Sequence, residues 1–401
     1  MTTQTLKNWN KVRLDEIADF QYGYTASSKE DDTGTKLLRI TDIVPDLIDW
    51  ETVPFCDIDE KNAKQYGIKK GDILIARTGA TAGYAKFIRR EPEKSVFASY
   101  LIRLTMKKAD ASSEYVGRII ESDTFKQFVT SHASGSAQPH ANAPILKDFE
   151  FLLPDLKTQV SVANILSVYD DLIYNNTRRI QILEQMALAI YTEWFVNFRF
   201  PGHKKVKMID SGSDFGKIPE GWEIKKLKDV VYNFDSKRRP ISKMKRAQVQ
   251  GEIPYYGAAK IIDYVNEVLL DGKYLLFAED GSVITKEGYP VLQFVNEKFW
   301  VSNHAHVLQG KDVSTEHLYL ALSKFPIQGY VTGAAQPKIT QENMNRISVL
   351  VSDANTRAEF DNRIQPLFEL QFNLRISLAN LRQTRDLLLP KLVTGEIKVN
   401  T

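Results

Sequence analysis

The sequence repeats itself, and this constrains the possible folds more than any other feature. Ser134-Gly135-Ser136-Ala137-Gln138-Pro139 returns as Thr332-Gly333-Ala334-Ala335-Gln336-Pro337, 198 residues later. That offset then holds without a gap: Leu152 meets Leu350, Asp155 meets Asp353, Thr158 meets Thr356, Asn175 meets Asn373, Leu183 meets Leu381 and Gln185 meets Gln383. Apolar stripes would align any two long helices, but they do not explain a shared Gly-x-Ala-Gln-Pro turn outside them. The starts also match, since Trp9, Leu14 and Ile17 are spaced as Trp222, Leu227 and Val230, an offset of 213. The middles scarcely resemble each other. A preserved frame around divergent middles suggests two modules doing one job on different targets.

Each copy reads as a mixed body followed by a long helix. Over 156–198, Val162, Ile165, Tyr169, Leu172, Ile180, Leu183, Ala187, Ile190 and Trp194 recur at a 3–4 spacing, which marks one helical face. In the second copy the same phase picks out Phe360, Ile364, Leu367, Leu370, Leu374, Leu378, Leu381 and Leu388. Asn176 interrupts the first stripe and Arg385 the second. Stripes this long and narrow predict a coiled-coil seam, and antiparallel pairing would give the repeat pseudo-twofold symmetry. Thr158 is a plausible helix N-cap, and Pro390 is expected to stop or kink the second helix.

The bodies carry short β-rich runs: 36–43, 72–77, 84–88 and 99–104 in the first, and 273–278, 290–295 and 299–302 in the second. Helices are expected at 113–129 and 314–325. The fold class is α+β, with mostly antiparallel sheets in both bodies. The expected divisions are a first body at 1–155, a central long helix at 156–199, a linker at 200–220, a second body at 221–353, and a C-terminal helix and tail at 354–401.

The net charge is only +3, which neither announces nor excludes a nucleic-acid binder. The single cysteine, Cys56, rules out an internal disulfide framework and fits a reducing cytosol. The N-terminus has no apolar signal region, and no apolar run approaches the ~18 residues of a membrane span, so a cytoplasmic protein is expected. No P-loop is present, no Asn/Asp-Pro-Pro-Tyr/Phe run, and no glycine-rich turn for S-adenosylmethionine. Pro45-Asp46 with Asp59-Glu60-Lys61 matches a nuclease pattern only weakly. His304 and His306 form an isolated His-x-His with no evident partners, and are expected to be structural or a polar contact rather than a metal site. Asp170-Asp171 reads as a solvated helix face.

These residues resemble the specificity subunits of type I restriction–modification systems over nearly the whole chain. The resemblance is carried by Trp9…Leu14-Asp15-Glu16-Ile17, Leu38-Arg39-Ile40-Thr41-Asp42-Ile43, Gly71-Asp72-Ile73-Leu74-Ile75, Gly135-Ser136-Ala137-Gln138-Pro139, Ile180…Leu183-Glu184…Trp194-Phe195, Ile218-Pro219-Glu220-Gly221-Trp222 and Leu389-Pro390-Lys391-Leu392…Gly395-Glu396-Ile397. Each motif is weak alone, and their order, spacing and duplication are strong. The resemblance implies two target-recognition domains with no catalytic site and no cofactor of their own. It also implies assembly on double-stranded DNA with two methylation subunits and with restriction–translocase subunits, which would supply the S-adenosylmethionine, ATP and magnesium chemistry. A related system with a fused nuclease–methyltransferase partner is an alternative, and an enzyme with an unrecognised site a weaker one.

Candidate base readers in the first body are Arg77-Thr78-Gly79, where arginine suits guanine and glycine allows close approach. A hairpin turn with a solvated arginine fits equally well. Gln138 is suited to adenine, but it recurs as Gln336, so a shared structural role is as good a reading. In the second body, Glu279-Asp280-Gly281-Ser282 occupies the place of that turn, and its acids would accept from cytosine or orient a basic neighbour. Tyr256, Lys260, Asn303 and His304 are further candidates, as are Arg39 and Lys338. The run Lys237-Arg238-Arg239 is either a phosphate contact or a solvated loop. Trp194, Phe195 and Phe198 exceed what two paired helices would bury, and are expected to dock on the methylation partners.

Overall fold

A computed structural model describes residues 9–45, 47–132, 141–333 and 336–399. The chain divides into two compact units: Met1–Asn175 with Leu378–Thr401, and Asn176–Ser377.

In the first unit, β1 (Asn10–Arg13), α1 (Leu14–Ile17), β2 (Ala18–Tyr22), β3 (Lys36–Leu38), α2 (Ile40–Ile43) and α3 (Glu60–Tyr66) lead to β4 (Ile73–Ala76) and β5 (Ala85–Phe87). They are followed by β6 (Ser95–Phe97), β7 (Leu101–Met106), α4 (Ser113–Ile120), α5 (Asp123–His132), α6 (Ala143–Lys147) and β8 (Glu150–Leu153). The main sheet is antiparallel in the order β2-β7-β4-β5. β4 is apolar throughout because both its faces are covered. Ile73 and Ile75 join α1, α4 and α5 in one core, while Leu74 and Ala76 join Leu38, Ile43 and Phe97 in another. The run 36–43 is only half a strand, since Asp42 accepts from the backbone N–H of Arg39 and turns the chain into α2.

The second unit contains β9 (Met208–Asp210), β10 (Lys217–Pro219), β11 (Glu223–Lys226), α8 (Leu227–Val230), β12 (Val231–Asn233), α9 (Lys243–Gln248), β13 (Gln250–Tyr256) and β14 (Ile261–Val265). They are followed by β15 (Leu270–Ala278), β16 (Leu292–Val301), β17 (Ala305–Gly310), α10 (Thr315–Ser323), α11 (Gln341–Asn345) and β18 (Ser348–Val351). Its sheet runs β12-β17-β15-β16-β13-β14, antiparallel except where β13 meets β16. The runs 290–295 and 299–302 form one continuous strand, β16. The segment expected as a linker is folded, with β9 and β10 pairing and Phe200 and Ile218 buried.

The repeat is visible bond by bond. Asn10 pairs with Leu153 as Glu223 pairs with Val351. Leu14 N–H donates to the Phe149 carbonyl as Leu227 N–H donates to that of Ile347. Asp155 caps the helix that follows by accepting from Thr158, and Asp353 does the same with Thr356. The cap is therefore the aspartate of each Asp-x-x-Thr, and Thr158 lies one turn inside.

The two long helices are α7 (Leu156–Tyr191) and α12 (Ala354–Val393). α12 runs through Pro390 for three more residues rather than stopping there. In each unit, one half of α7 runs antiparallel to one half of α12. In the first unit Val162 and Leu166 lie in the core with Leu388, Leu389 and Leu392, and Asp170 binds Arg385. In the second, Asn176 donates to Ser377, Glu184 binds Arg375, and Trp194 meets Phe360. Asn176 and Arg385, which interrupt the stripes, are thus polar pairing points.

The inward face differs from the expected stripe. Val162, Leu166 and Ile173 are buried, while Ile165 and Leu172 are exposed; Phe368 is buried and Leu370 exposed. The helices pack on bodies as well as on each other, and this rotates the buried face. Asp170, expected to be solvated, is largely enclosed by Arg89, Arg118 and Arg385. Burial opposes its ionisation, but the guanidinium groups outweigh that and hold its carboxyl below the usual range.

Candidate nucleic-acid interface

The turn that ends β4 and the one that ends β15 are built on the same main-chain bonds. Arg77 N–H donates to the Tyr100 carbonyl at 3.0 Å, and Ala141 N–H donates to that of Arg77 at 2.8 Å. In the second unit, Glu279 N–H donates to the His304 carbonyl at 2.8 Å, and Ile339 N–H to that of Glu279 at 2.8 Å. Arg77 therefore corresponds to Glu279, and Tyr100 to His304. The neighbouring strands are in step too: Phe20 opposes Leu104 as Asn233 opposes Leu308. Two residues further on, Tyr22 corresponds to Asp235. One backbone cradle thus carries Tyr22, Arg77 and Tyr100 in one unit, and Asp235, Glu279 and His304 in the other.

In the first unit the Arg77 guanidinium lies 4.9 Å from the centre of the Tyr22 ring. Tyr22 is itself anchored, its hydroxyl accepting from Ala143 N–H. Thr78 and Gly79 follow, with Gly79 at φ +76, where a side chain would be strained. Tyr100 is 60% exposed. The strand-like run 99–104 concealed it, because the strand begins only at Leu101 and Tyr100 sits in the preceding turn. Arg39 is not a free fork: its guanidinium is held by both carboxylate oxygens of Asp42. Gln138 lies outside the described residues, as does Asp46 of the weak nuclease pattern, while Asp59 of that pattern caps α3.

In the second unit the acids turn inward. Glu279 accepts from Arg238 at 2.6 Å and pairs with Lys338 at 3.2 Å, while Asp280 binds Nδ1 of His304. Burial opposes the ionisation of Glu279, but Arg238, His306 and Lys338 together hold its pKa below the usual range. Both acids are thus engaged with basic neighbours inside the unit. Arg238 also donates to the carbonyls of Asn303 and Ala305 and is largely buried, so its guanidinium is held within the protein rather than in the solvated loop expected for a phosphate contact. Arg239 and Lys260 are exposed. Tyr256 is engaged differently from expectation, with its hydroxyl donating to Glu297 at 2.6 Å and its ring packed on Phe299.

His306 is not isolated. Its Nδ1 meets Asp235 at 2.6 Å and its Nε2 meets the Ile339 carbonyl at 3.0 Å. Asp235, Glu279 and His306 bring ligand-type atoms within 4.8 Å of one another. Arg238 and Lys338 already occupy those carboxylates, and both imidazole nitrogens are engaged, so the cluster fits an internal ion network better than a metal.

Ser282, Asn303, His304 and Gln336 are exposed around this network. The loop bearing Gln336 is closed by reciprocal bonds between Thr332 and Lys338, and Gly281 N–H donates to the Pro337 carbonyl. Gly333 has φ +84, and a Cβ there would lie 2.4 Å from the Gln336 carbonyl oxygen. The glycine of the repeated motif is thus required by the turn.

Trp194 and Phe195 are not a docking surface. Both are buried with Phe200, Trp222 and Phe360 in a core of the second unit, and Phe198 packs at its edge on Trp222. His317 stands among these rings and is buried, which depresses its pKa to about 4. No helix among the described residues is long and apolar enough to cross a membrane.

The chain matches the family model described as the type I restriction modification DNA specificity domain over residues 6–185 and again over 219–355. It is 26% identical to the type I restriction enzyme MjaIX specificity subunit of Methanocaldococcus jannaschii, over 98% of this chain and 94% of that one. It is 34% identical to a putative type I restriction enzyme specificity subunit of Haemophilus influenzae, over 36% of this chain and 37% of that one. The S subunit of the type I restriction–modification system from M. genitalium shares the fold, with a TM-score of 0.60 at 15% identity, over 98% of both chains. One matched segment falls in each copy of the repeat, and the chain belongs to the family of type I restriction–modification specificity subunits, the DNA-recognition rather than the catalytic component of those systems.

Proposed function

We propose that each body reads one half of an asymmetric, two-part DNA target, with the long helices setting the gap between the halves. The observation that carries this reading is the shared cradle. The same main-chain bonds hold Arg77 and Tyr100 in one unit and Glu279 and His304 in the other, and the strands beside them, which lead to Tyr22 and to Asp235, pair in the same register. Base edges are distinguished by side-chain chemistry while backbone position sets register. One frame with two different side-chain sets therefore suits two different half-sites, whereas identical sets would suit a palindrome.

The chain acts with partners. Two methylation subunits supply S-adenosylmethionine chemistry, and restriction–translocase subunits supply ATP and magnesium chemistry. The rings of Trp194, Phe195 and Phe198 are packed within the second unit and are not suited to receive them. Exposed apolar side chains along the long helices are better suited: Val160, Val168 and Leu172 in the first unit, and Ile182, Met186 and Ile376 in the second.

The test is to sequence modified bases in cells carrying this chain with its methylation subunit. An interrupted motif with two unlike halves is expected. A continuous or palindromic motif would contradict the reading, as would DNA cleavage or methylation by the purified chain alone.

A further inference from the structure

We propose that Tyr100 and His304 are specificity-determining residues, each contacting one base pair in its own half of the target; this rests on the reading of the two bodies as DNA readers. The two residues occupy the same point of the repeated cradle. The carbonyl of each accepts from the N–H of the residue that opens the neighbouring turn, Arg77 or Glu279. The backbone from which each side chain departs is therefore fixed, and a reader needs such a fixed origin. The side chains themselves differ, one a phenol and the other an imidazole, as two half-sites of unlike sequence require.

Both side chains face solvent beside a buried sheet. Tyr100, 60% exposed, is the most exposed aromatic ring among the described residues. Its ring offers an apolar face to a thymine methyl, and its hydroxyl can donate or accept at a base edge. The side chain of His304 is 49% exposed, and its Nδ1 is committed to Asp280. Only Nε2 remains for a base, so it makes one hydrogen bond at one position. Each residue has basic company suited to the phosphate backbone: Arg77 follows the strand beside Tyr100, and Lys338 flanks the turn beside His304.

The experiment uses the full chain assembled with its methylation subunit. Methylation is scored by modified-base sequencing across every single-base variant of the motif. The variants are Tyr100→Ala and His304→Ala, with Tyr100→Phe and His304→Gln as milder replacements. Tyr100→Ala is expected to relax one base pair of one half-site by about tenfold, and His304→Ala one base pair of the other half-site by a similar factor. Strict wild-type motifs in both alanine variants would overturn the inference alone, showing ordinary exposed turn residues. Uniform loss of methylation at all sequences, or relaxation of the same half-site by both variants, would also overturn it. Absence of any motif in the wild-type complex would instead overturn the proposed function, and this inference with it.

Discussion

Asp170→Ala removes the carboxylate shared by three guanidinium groups. Asp170 binds Arg118, lies 3.1 Å from Nε of Arg89, and lies 3.0 Å from Nη1 of Arg385. It is 12% exposed and Arg118 is almost fully buried. Glu121 continues to hold Arg89 and Asp386 continues to hold Arg385 in the variant, so the loss falls mainly on Arg118, which keeps only Glu114 at 3.6 Å. Removing one partner of a buried ion pair costs about 3–5 kcal/mol, mostly by leaving a charge uncompensated. With part of the network intact, about 3 kcal/mol is expected. The adjacent Asp171 is the control: it pairs with Arg90 but is 68% exposed, and Asp171→Ala should cost under about 1 kcal/mol. Native-state hydrogen exchange reads the first unit separately from the second. Amides of α4 and of residues 162–173 should exchange about 150-fold faster in Asp170→Ala and nearly normally in Asp171→Ala. Equal effects of the two substitutions would refute the argument that burial separates these neighbours.

His317 gives the second unit a pH dependence. Burial depresses its pKa from 6.5 to about 4, so the unfolded chain takes up a proton that the folded chain refuses. Stability should be complete above about pH 6.5 and fall by about 3 kcal/mol as pH drops to about 4, and His317→Leu should flatten that slope in urea titrations. Arg238 and Arg239 should separate: Arg238→Ala destabilises the second unit, whereas Arg239→Ala, at an exposed position, lowers affinity for all DNA sequences and reduces the salt dependence of binding. Fluorescence titrations at several salt concentrations, beside thermal melts, check both.

The frame was legible because its signals are local and doubled. Asp155 with Thr158 and Asp353 with Thr356 are caps that any two helices of this kind would need, and Gly333 answers to a turn that only glycine fits. The runs 72–77 and 273–278 declared strands, and the structure covers both faces of each. What stayed hidden depends on partners distant in sequence. Asp170 and Asp171 are neighbours about 100° apart on a helix, and the positions of Arg89, Arg118 and Arg385 decide which one is enclosed. Arg238 and Arg239 look alike in sequence until Glu279 folds back to take one of them. Trp194 and Phe195 seemed surplus because Trp222, His317 and Phe360, which enclose them, lie 27 to 166 residues further on. Tyr100 was overlooked as part of a strand, although it lies in the turn before it.

The central claim is that one frame carries two independent readers. Its most direct test replaces residues 9–153 with the first body of another family member and determines the methylated motif of the assembled complex. The account predicts that one half-site changes to that of the donor while the other half-site keeps its sequence. A change in both half-sites, or in neither, would contradict it.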